Sequence, residues 1–453
     1  MMKKLIKKIV KFFHLPIFWL DEIFTPSTAA TINYIKRNDI DRKLVSEMET
    51  PGKQLIVYGH SGSGKTSSVR NMLNKKNLKY IRSNCESNTS FEELILNAFD
   101  ALDIYVISEK SHKRIKKQNR NLAIEYSTIK ASISKSGSTE DTLTFSPLLP
   151  PQLTVQKLAQ FMGKLQIVWI IEDFHKVTTK EKQRIADVIK IFVDNANDYP
   201  LSKIVCIGAC QSAHELMQLD SNLKNRVSEI SIPLLKEEEI KQIITNGFNL
   251  LRAKPDKRLV EQLVYYSDRL GAAAHQMCLD ICKGSNLNMT QWGMKDVLDS
   301  SFQYAIDGFI SNSSDSLKTI YESATKDELG WYVLKTFSRN TMDNLSLTQI
   351  YKIINAKKIK FSEEEIQVKL SELSDPPFNI IYYKERSSKY TLSNPFWHRF
   401  LRLQFSIEHR EHQKKKKNNQ NPNLKLIDKD VKYQMVDKIF LDLIIKELTK
   451  NKE

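Results

Sequence analysis

The sequence predicts an α/β core with a parallel sheet flanked by helices, then an all-helical region, then three helices with a β-hairpin. Three observations lead to this fold class. A glycine-rich loop, residues 59–66, follows an apolar run and precedes a helix-compatible stretch. Further apolar runs, typical of strands buried on both faces, alternate with amphipathic segments. Beyond residue 235 the pattern is helical, until two short strand-like runs between residues 380 and 392.

The bulk composition is that of a globular chain with room for several domains. The chain has 453 residues, of which 41% are hydrophobic and 27% charged, and no apolar run is long enough to span a membrane. Five cysteines without a C-x-x-C pair indicate a reducing compartment, so we expect a cytoplasmic protein. The abundance of Lys, Asn and Ile suggests a bacterial source. A net charge of +16 allows an anionic partner, such as non-specific nucleic acid, without identifying one.

Residues 59–66 read Gly-His-Ser-Gly-Ser-Gly-Lys-Thr, a complete G-x-x-x-x-G-K-[ST] phosphate-loop motif. Glycines let such a loop curl, so that successive backbone N–H groups point at an anion. Lys65 would reach the β- and γ-phosphates of a nucleotide, and Thr66 would offer its hydroxyl to Mg²⁺. The candidate cofactor-binding residues are therefore Gly59, His60, Ser61, Gly62, Ser63, Gly64, Lys65, Thr66 and Ser67.

An acidic pair ends the most apolar of the predicted strands. Residues 166–171 are followed directly by Glu172 and Asp173. At the carboxyl edge of a parallel sheet, these carboxylates would lie beside the phosphate loop. By position, Glu172 is the metal-side acid, which would hold Mg²⁺ through water, and Asp173 is the candidate base for the attacking water. The order Glu-Asp inverts the commoner Asp-Glu, so the division of labour between the two stays open.

The predicted core spans residues 25–235. We predict strands at 55–58, 78–82, 166–171, 203–209 and 229–232, and helices at 67–74, 90–102, 155–162 and 180–197. Residues 108–150 are polar, basic and then rich in Ser and Thr, and we interpret them as an insertion. Gln211 and Ser212 follow the fourth strand, where either a γ-phosphate sensor or an ordinary polar strand end would lie.

The remaining chain divides into three predicted parts. Residues 236–325 form a lid with connecting helices, purely helical to about residue 286 and helical with polar breaks beyond it. Residues 326–412 combine helices at 327–338, 346–355 and 362–373 with strands at 380–383 and 389–392, which is the winged-helix pattern. Residues 413–453 form a polar linker and a final amphipathic helix, 431–448.

His275, Cys278 and Cys282 would share one face of a lid helix. Residues of these types at this spacing are either three metal ligands or a histidine with two small buried thiols. The second interpretation is favoured, because free cysteine is among the most buried residue types.

The N-terminal segment, residues 1–24, contains a predicted basic amphipathic helix that Pro16 ends. Its apolar arc consists of Leu5, Ile6, Ile9, Val10, Phe12 and Phe13, and its opposite arc of Lys3, Lys4, Lys7, Lys8 and Lys11. Such a helix suits an anionic membrane surface through residues 3–13, which would make the protein peripheral at the inner membrane. Packing on its own protein or on a partner is the other interpretation, and it is favoured.

These features, in this order, resemble those of the AAA+/STAND class of P-loop ATPases over about residues 36–405. The resemblance depends on the phosphate loop, on residues 171–175 and on residues 390–396, which look like the segment that closes the winged helix. It is greatest to the branch with a helical lid and a winged helix, which includes origin-recognition-type ATPases and archaeal and bacterial signal-transduction NTPases.

The resemblance implies ATP and Mg²⁺ as cofactors and adds two residues to the candidate site. Arg226, before the last core strand, would act catalytically on the γ-phosphate, in a neighbouring subunit or in the same chain. His275 would face the nucleotide from the lid, although residues 271–274 lack the proline that the family often carries there.

Three functions remain open from the sequence. The first is an ATP-hydrolysing switch that couples nucleotide state to homo-oligomer assembly or to control of an effector protein, for example in bacterial defence. The second is a DNA-binding ATPase of the replication-initiator type, which the acidic start of helix 362–373 disfavours because carboxylates repel phosphates. The third is a nucleotide-binding module without turnover.

Overall fold

A computed structural model of the chain describes residues 16–102, 154–209, 225–312, 315–339, 344–356 and 361–418. The described part of the chain divides into two units at residue 401. Several sequence predictions lie outside the described residues: the helix at 3–13, the insertion at 108–150, the sensor candidates Gln211 and Ser212, and the final helix at 431–448.

The core is a five-stranded sheet in the order β2-β3-β4-β1-β5, and every pairing in it is parallel. Its strands are β1 (Gln54–Tyr58), β2 (Lys79–Asn84), β3 (Ile167–Glu172), β4 (Ile204–Gly208) and β5 (Val227–Ser231). All five predicted strands are confirmed, with ends shifted by one or two residues. Because β4 lies between β1 and β3, the phosphate-loop strand and the strand that ends in Glu172 are not neighbours, but both end at the same edge.

Helices cover both faces of this sheet. The short helix α1 (Leu20–Ile23) contacts the lid helix Gly271–Gly284. The helices on the sheet are α2 (Asn38–Glu49), α3 (Lys65–Lys75), α4 (Phe91–Ala101), α5 (Val155–Leu165) and α6 (Thr179–Asp194), the last continued by a 3-10 turn at Asn195–Asn197. Along β3, Val168 and Ile170 pack in one hydrophobic cluster with α2 and α3, whereas Trp169 and Ile171 pack in the other with α4, α5 and α6. Burial on both faces is why β3 is a continuous apolar run.

The lid region is helical but contains a small sheet that the sequence did not predict. Its helices are α7 (Glu237–Leu250), α8 (Lys257–Ser267), α9 (Gly271–Gly284), α10 (Phe302–Asn312) and α11 (Asp315–Ala324). The strands β6 (Ala253–Pro255) and β7 (Lys295–Val297) pair in parallel. The predictions of a purely helical pattern to residue 286 and of helix directly beyond it are therefore wrong, because three-residue strands are too short for their periodicity to be recognised.

Three helices and an antiparallel hairpin follow, and they confirm the predicted winged-helix pattern. They are α12 (Glu328–Arg339), α13 (Leu347–Asn355), α14 (Glu363–Ser374), β8 (Ile381–Lys384) and β9 (Lys389–Leu392). The last described element is α15 (Pro395–Asn418), so residues 413–418 of the predicted polar linker are helical. Within the described ranges, no helix is both long and apolar enough to cross a membrane.

Candidate functional site

The loop between β1 and α3 has the backbone conformation of a phosphate-binding loop. Gly59, Gly62 and Gly64 have φ values of 147°, 78° and 91°, in the region that favours glycine. A Cβ on Gly59 would lie 2.2 Å from the carbonyl oxygen of Ile232, so this position also requires a residue without a side chain. The loop ends where α3 begins at Lys65, which leaves the first N–H groups of the helix available to an anion.

The Lys65 side chain is buried and folded back on its own loop. Its Nζ donates hydrogen bonds to the carbonyl oxygens of Gly59, at 2.9 Å, and His60, at 2.7 Å. Phosphate oxygens are charged acceptors and bind an ammonium group more strongly than neutral carbonyls do. A bound triphosphate would therefore compete for this group at the place where its charge is required.

Thr66 and Glu172 lie in contact, as the sequence predicts for the metal side of the site. The Thr66 hydroxyl donates to Oε2 of Glu172 at 3.3 Å, and the Glu172 side chain is 18% exposed. A hydroxyl and a carboxylate are hard oxygen ligands of the kind that Mg²⁺ uses together with phosphate oxygens and water. In the part of the chain that the structure describes, no group of three or more His, Cys, Asp or Glu side chains is arranged to hold a metal ion.

Asp173 is placed differently from its neighbour. It has a left-handed backbone conformation (φ 56°), and its Oδ2 accepts from Lys176 Nζ at 2.7 Å. About half of its side chain is exposed, whereas Glu172 is mostly covered. Both residues line the same cavity, but Glu172 contacts the phosphate loop and Asp173 is held by Lys176.

A cavity of about 740 Å³ extends from the phosphate loop, a size suited to a nucleotide. Residues 61–68 form one wall, and Arg82, Glu172 and Asp173 form another. The segment 25–37, Leu235 at the end of the core and the lid residues Ile243, Gly271, Ala272 and His275 close it, together with Phe396 from the start of α15. The site therefore joins residues from the core, the lid and the segment after the hairpin.

The N-terminal wall is a part of the site that sequence analysis missed. Ser67 Oγ accepts from the backbone N–H of Ala30, and the Tyr34 hydroxyl donates to Asp41 Oδ1 at 2.7 Å. The guanidinium of Arg37 is buried and lies 3.4 Å from a carboxylate oxygen of Glu239 at the start of α7. Residues 25–37 have no periodicity, so no sequence pattern distinguishes them from an ordinary surface loop.

Arg82 is a second residue of the site that sequence analysis missed. Its Nη1 lies 3.5 Å from Oε1 of Glu172, and it lines the cavity. The sequence analysis predicts Arg82 only as the last residue of the strand at 78–82, where an arginine is unremarkable by residue type. Only the pairing of β2 with β3 brings it beside the acidic pair.

Arg226 does not reach the phosphate loop of its own chain. It directly precedes β5, whose first residue pairs with Gln54, whereas Tyr58 at the loop edge pairs with Ser231. Arg226 thus lies at the amino edge of the sheet, opposite the site, with its side chain 42% exposed and 3.8 Å from Asp194. The interpretation that it acts on the γ-phosphate within the same chain is wrong, because the whole length of β5 separates Arg226 from the edge of the sheet where the phosphate loop lies.

His275 lines the lid side of the cavity, but its side chain binds the backbone of the N-terminal segment. Its Nδ1 accepts the backbone N–H of Thr25 at 3.1 Å, and burial lowers its pKa to about 4. His175 is placed similarly in the core, where its Nδ1 accepts the N–H of Ala209 and burial lowers its pKa. Neutral imidazoles thus connect the N-terminal segment to the lid and the end of β3 to the end of β4.

The helix that carries His275 also carries two buried thiols. Cys278 and Cys282 are free cysteines without exposed surface, and burial raises the pKa of both. A raised pKa disfavours the thiolate form that binds metals. Both side chains are 0% exposed, which confirms the interpretation as buried thiols.

No protein-family model matches the chain, and neither does any curated protein sequence. Solved structures do. The Walker-type ATPase PABY2304 of Pyrococcus abyssi is 15% identical, with 82% of this chain and 96% of that chain covered and a TM-score of 0.44. The ORC2 protein of Aeropyrum pernix in ADPNP–ADP complexes is 9% identical, with 86% and 98% covered and a TM-score of 0.45.

A third similar structure is the RuvB Holliday junction branch migration motor of Thermotoga maritima. It is 12% identical, with 79% of this chain and 92% of that chain covered and a TM-score of 0.37. The residue assignments for this chain depend on the distances described above.

Proposed function

We propose that the chain binds ATP with Mg²⁺ in this cavity and hydrolyses it. The observation that carries the proposal is the convergence of three side chains on one loop. Thr66 Oγ1 and Glu172 Oε2 are 3.3 Å apart, and Lys65 Nζ is held by the carbonyls of the same loop. A phosphate loop beside a carboxylate at the end of a buried strand is the arrangement that phosphoryl transfer requires.

Each residue then has a defined role toward the triphosphate. Backbone N–H groups of residues 61–66 bind the β- and γ-phosphates, and Lys65 moves from its carbonyl partners to the phosphate oxygens. Thr66 directly and Glu172 through water would hold Mg²⁺, whose charge would offset the negative charge of the phosphates, and Asp173 is the candidate that orients the attacking water. Arg82 is a cation of the same chain beside Glu172, whereas Arg226 acts only toward a neighbouring subunit of a homo-oligomer.

The composition of the cavity walls favours a conformational switch as the function that ATP binding and hydrolysis serve. A nucleotide in the cavity would contact the core, the lid near Gly271 and Phe396 after the hairpin. Differential contact with ATP and ADP would therefore bias how the lid and the winged helix are held on the core. We propose that this change controls assembly or an effector protein, as in STAND-type switches of bacterial defence, in a cytoplasmic protein that associates with the inner membrane.

A DNA-binding ATPase of the replication-initiator type is the second candidate, favoured by the winged helix and the net charge of +16. The surface of α14 argues against it. Glu363, Glu364 and Glu365 are exposed there, while Lys369 is held by Asp327 and Glu372, each at 2.6 Å. A gel shift on random duplex DNA at low and high salt separates the two functions: salt-dependent binding would support the second.

Phosphate release with Mg²⁺ tests the proposed hydrolysis, with Glu172→Gln and Asp173→Asn as matched variants. Both keep side-chain volume and remove one charge. We expect Glu172→Gln to bind ATP and to lose turnover by about 100-fold or more, which is the usual effect of removing such a group. The size of the Asp173→Asn effect then settles which acid serves the water. A wild-type chain that binds ATP without turnover would contradict hydrolysis and leave a binding module.

A further inference from the structure

We propose that His175 is a positioning residue for hydrolysis: its imidazole fixes the turn that carries Asp173 to the end of β4. This inference rests on the proposed function and adds a residue to it. His175 lies in a 3-10 turn at Phe174–Lys176, which directly follows the acidic pair at the end of β3. Its side chain does not line the cavity, so any effect on the reaction passes through the backbone that it holds.

The two acids differ in what fixes their backbone. Glu172 is the last residue of β3 and pairs with Asn84 of β2, and its carbonyl accepts the N–H of Cys85 at 2.9 Å. Asp173 lies beyond the strand and has a left-handed backbone conformation. The sheet therefore sets the direction of Glu172, whereas the direction of Asp173 depends on the turn that follows it.

Three contacts hold this turn in place. The Phe174 side chain is buried in the hydrophobic cluster under the sheet. The carbonyl of His175 accepts from Lys182 Nζ of α6 at 3.3 Å, and Nδ1 of His175 accepts the backbone N–H of Ala209 at 3.1 Å. Ala209 and Asp173 both line the cavity, so the imidazole connects two of its walls.

The imidazole begins where the pairing of the two strands ends. The pairing of β3 with β4 runs as far as Ile171 with Cys206, while β4 continues to pair with β1 up to Gly208. Past that point, the His175 side chain supplies the acceptor for a β4-side N–H in place of a strand. It thus sets the separation of the two strand ends. A displacement of about 1 Å at a reacting group can cost on the order of 100-fold in rate.

The contact requires a neutral ring, because only a neutral imidazole has a nitrogen that can accept. With Nδ1 as the acceptor, the proton lies on Nε2. Burial has the largest effect on the pKa of His175 and lowers it. The charge of Asp173 raises this pKa, and those of Lys176, Lys65 and Lys182 lower it. The net lowering of the pKa keeps Nδ1 unprotonated at neutral pH.

Phosphate release with ATP and Mg²⁺, together with calorimetric titration of ATP, tests the role of His175. We expect His175→Ala to lower kcat by about 10- to 100-fold. Its ATP affinity should stay within about twofold of the wild type, because the phosphate loop does not depend on the imidazole. A residue needed only for folding would lower affinity and thermal midpoint together with kcat.

Two further substitutions at the same position sharpen the test. His175→Asn should recover most of the lost kcat, since Oδ1 of Asn stands about where Nδ1 stands and accepts the same N–H. His175→Gln should recover less, because its acceptor lies one bond further from the backbone. Lys190→Ala is the matched control on α6, where Lys190 pairs with Asp187 at 3.1 Å, and it should behave as the wild type does.

The outcomes separate this inference from the proposed function. Turnover by the wild type with an unchanged kcat in His175→Ala overturns the positioning role alone. A slow His175→Ala that also loses ATP affinity, and that Asn does not rescue, overturns it as well, because the role is then structural. A wild type without turnover overturns the proposed hydrolysis and this inference with it.

Discussion

Burial sets the protonation state of single residues at the site, and His275 shows the effect most strongly. Its imidazole accepts the N–H of Thr25, and burial lowers its pKa to about 4 from an ordinary value near 6.5. The folded state therefore excludes a proton that the unfolded chain binds. The stabilisation that follows is complete above pH 6.5 and is lost as the pH falls towards 4.

The variant His275→Asn tests this, because Asn keeps an acceptor for Thr25 N–H and does not titrate. We expect the free energy of unfolding of the wild type to fall by about 2 kcal/mol more than that of the variant between pH 7.5 and pH 5. Urea unfolding at the two pH values measures it. Carboxylates titrate equally in both proteins, so parallel curves would mean that His275 is not the group responsible.

The roles of single residues could be predicted from the sequence where a motif fixes their position along the chain. Lys65, Thr66 and Glu172 belong to such motifs, and the structure brings Thr66 and Glu172 into contact. Arg82 could not be assigned, because its role depends on which strand pairs with β2. Likeness to a family suggests that Arg226 acts on the γ-phosphate, but the pairing of β5 with β1 places it at the edge of the sheet opposite the phosphate loop.

At the scale of secondary-structure elements, the contact of α15 with the lid is a defined connection between the winged helix and the nucleotide cavity. Nδ1 of His398 on α15 lies 2.7 Å from Oδ2 of Asp268 at the end of α8, and both side chains are about one-tenth exposed. Phe396 lies two residues earlier and lines the cavity. A change in the contents of the cavity can therefore reach α15 directly, through Phe396.

We expect Asp268→Ala to lower the free energy of unfolding by about 1–3 kcal/mol, because it leaves the buried imidazole without its carboxylate partner. Glu322→Ala is the matched control, since Glu322 pairs with Lys318 at 4.0 Å and both side chains are more than half exposed. It should change stability by less than about 0.5 kcal/mol. Equal effects in urea unfolding would mean that the contact with α15 contributes no more than a surface pair.

Periodicity identified the elements that are long or buried on both faces, such as β3 and α6. It did not identify β6 and β7. Each has three residues, and two helices separate them in the sequence. Nor did it identify the cavity wall at residues 25–37, whose Tyr34 and Arg37 are held by side-chain hydrogen bonds and an ion pair. Such segments owe their conformation to tertiary contacts, which a local pattern does not contain.

At the scale of the whole molecule, the position of Arg226 decides whether this residue can act in a single chain or only in an assembly of subunits. Since it lies at the sheet edge opposite its own phosphate loop, a role in hydrolysis requires a second subunit. We expect Arg226→Ala to bind ATP normally and to turn over slowly. Lys65→Ala should be inactive but should still offer Arg226 to a neighbour.

Mixing the two inactive variants is the test. Equal amounts should recover about a quarter of wild-type phosphate release, the fraction of subunit interfaces that combine an intact Lys65 with an intact Arg226. No recovery would leave Arg226 without a role in a neighbouring site, and so would a wild-type rate for Arg226→Ala alone. Arg82 of the same chain would then be the remaining arginine that could stabilise charge on the phosphates during hydrolysis.

The central claim is that the cavity beside Lys65 binds a triphosphate, and calorimetric titration of the wild type with ATP and Mg²⁺ tests it most directly. The account predicts saturable binding that Lys65→Ala weakens by about 100-fold or more, because a buried cation to the phosphates is lost. It also predicts unchanged binding for Lys257→Ala, a lysine that is 91% exposed in the lid. Equal affinity of Lys65→Ala and the wild type, or no heat of binding in either, would contradict the account.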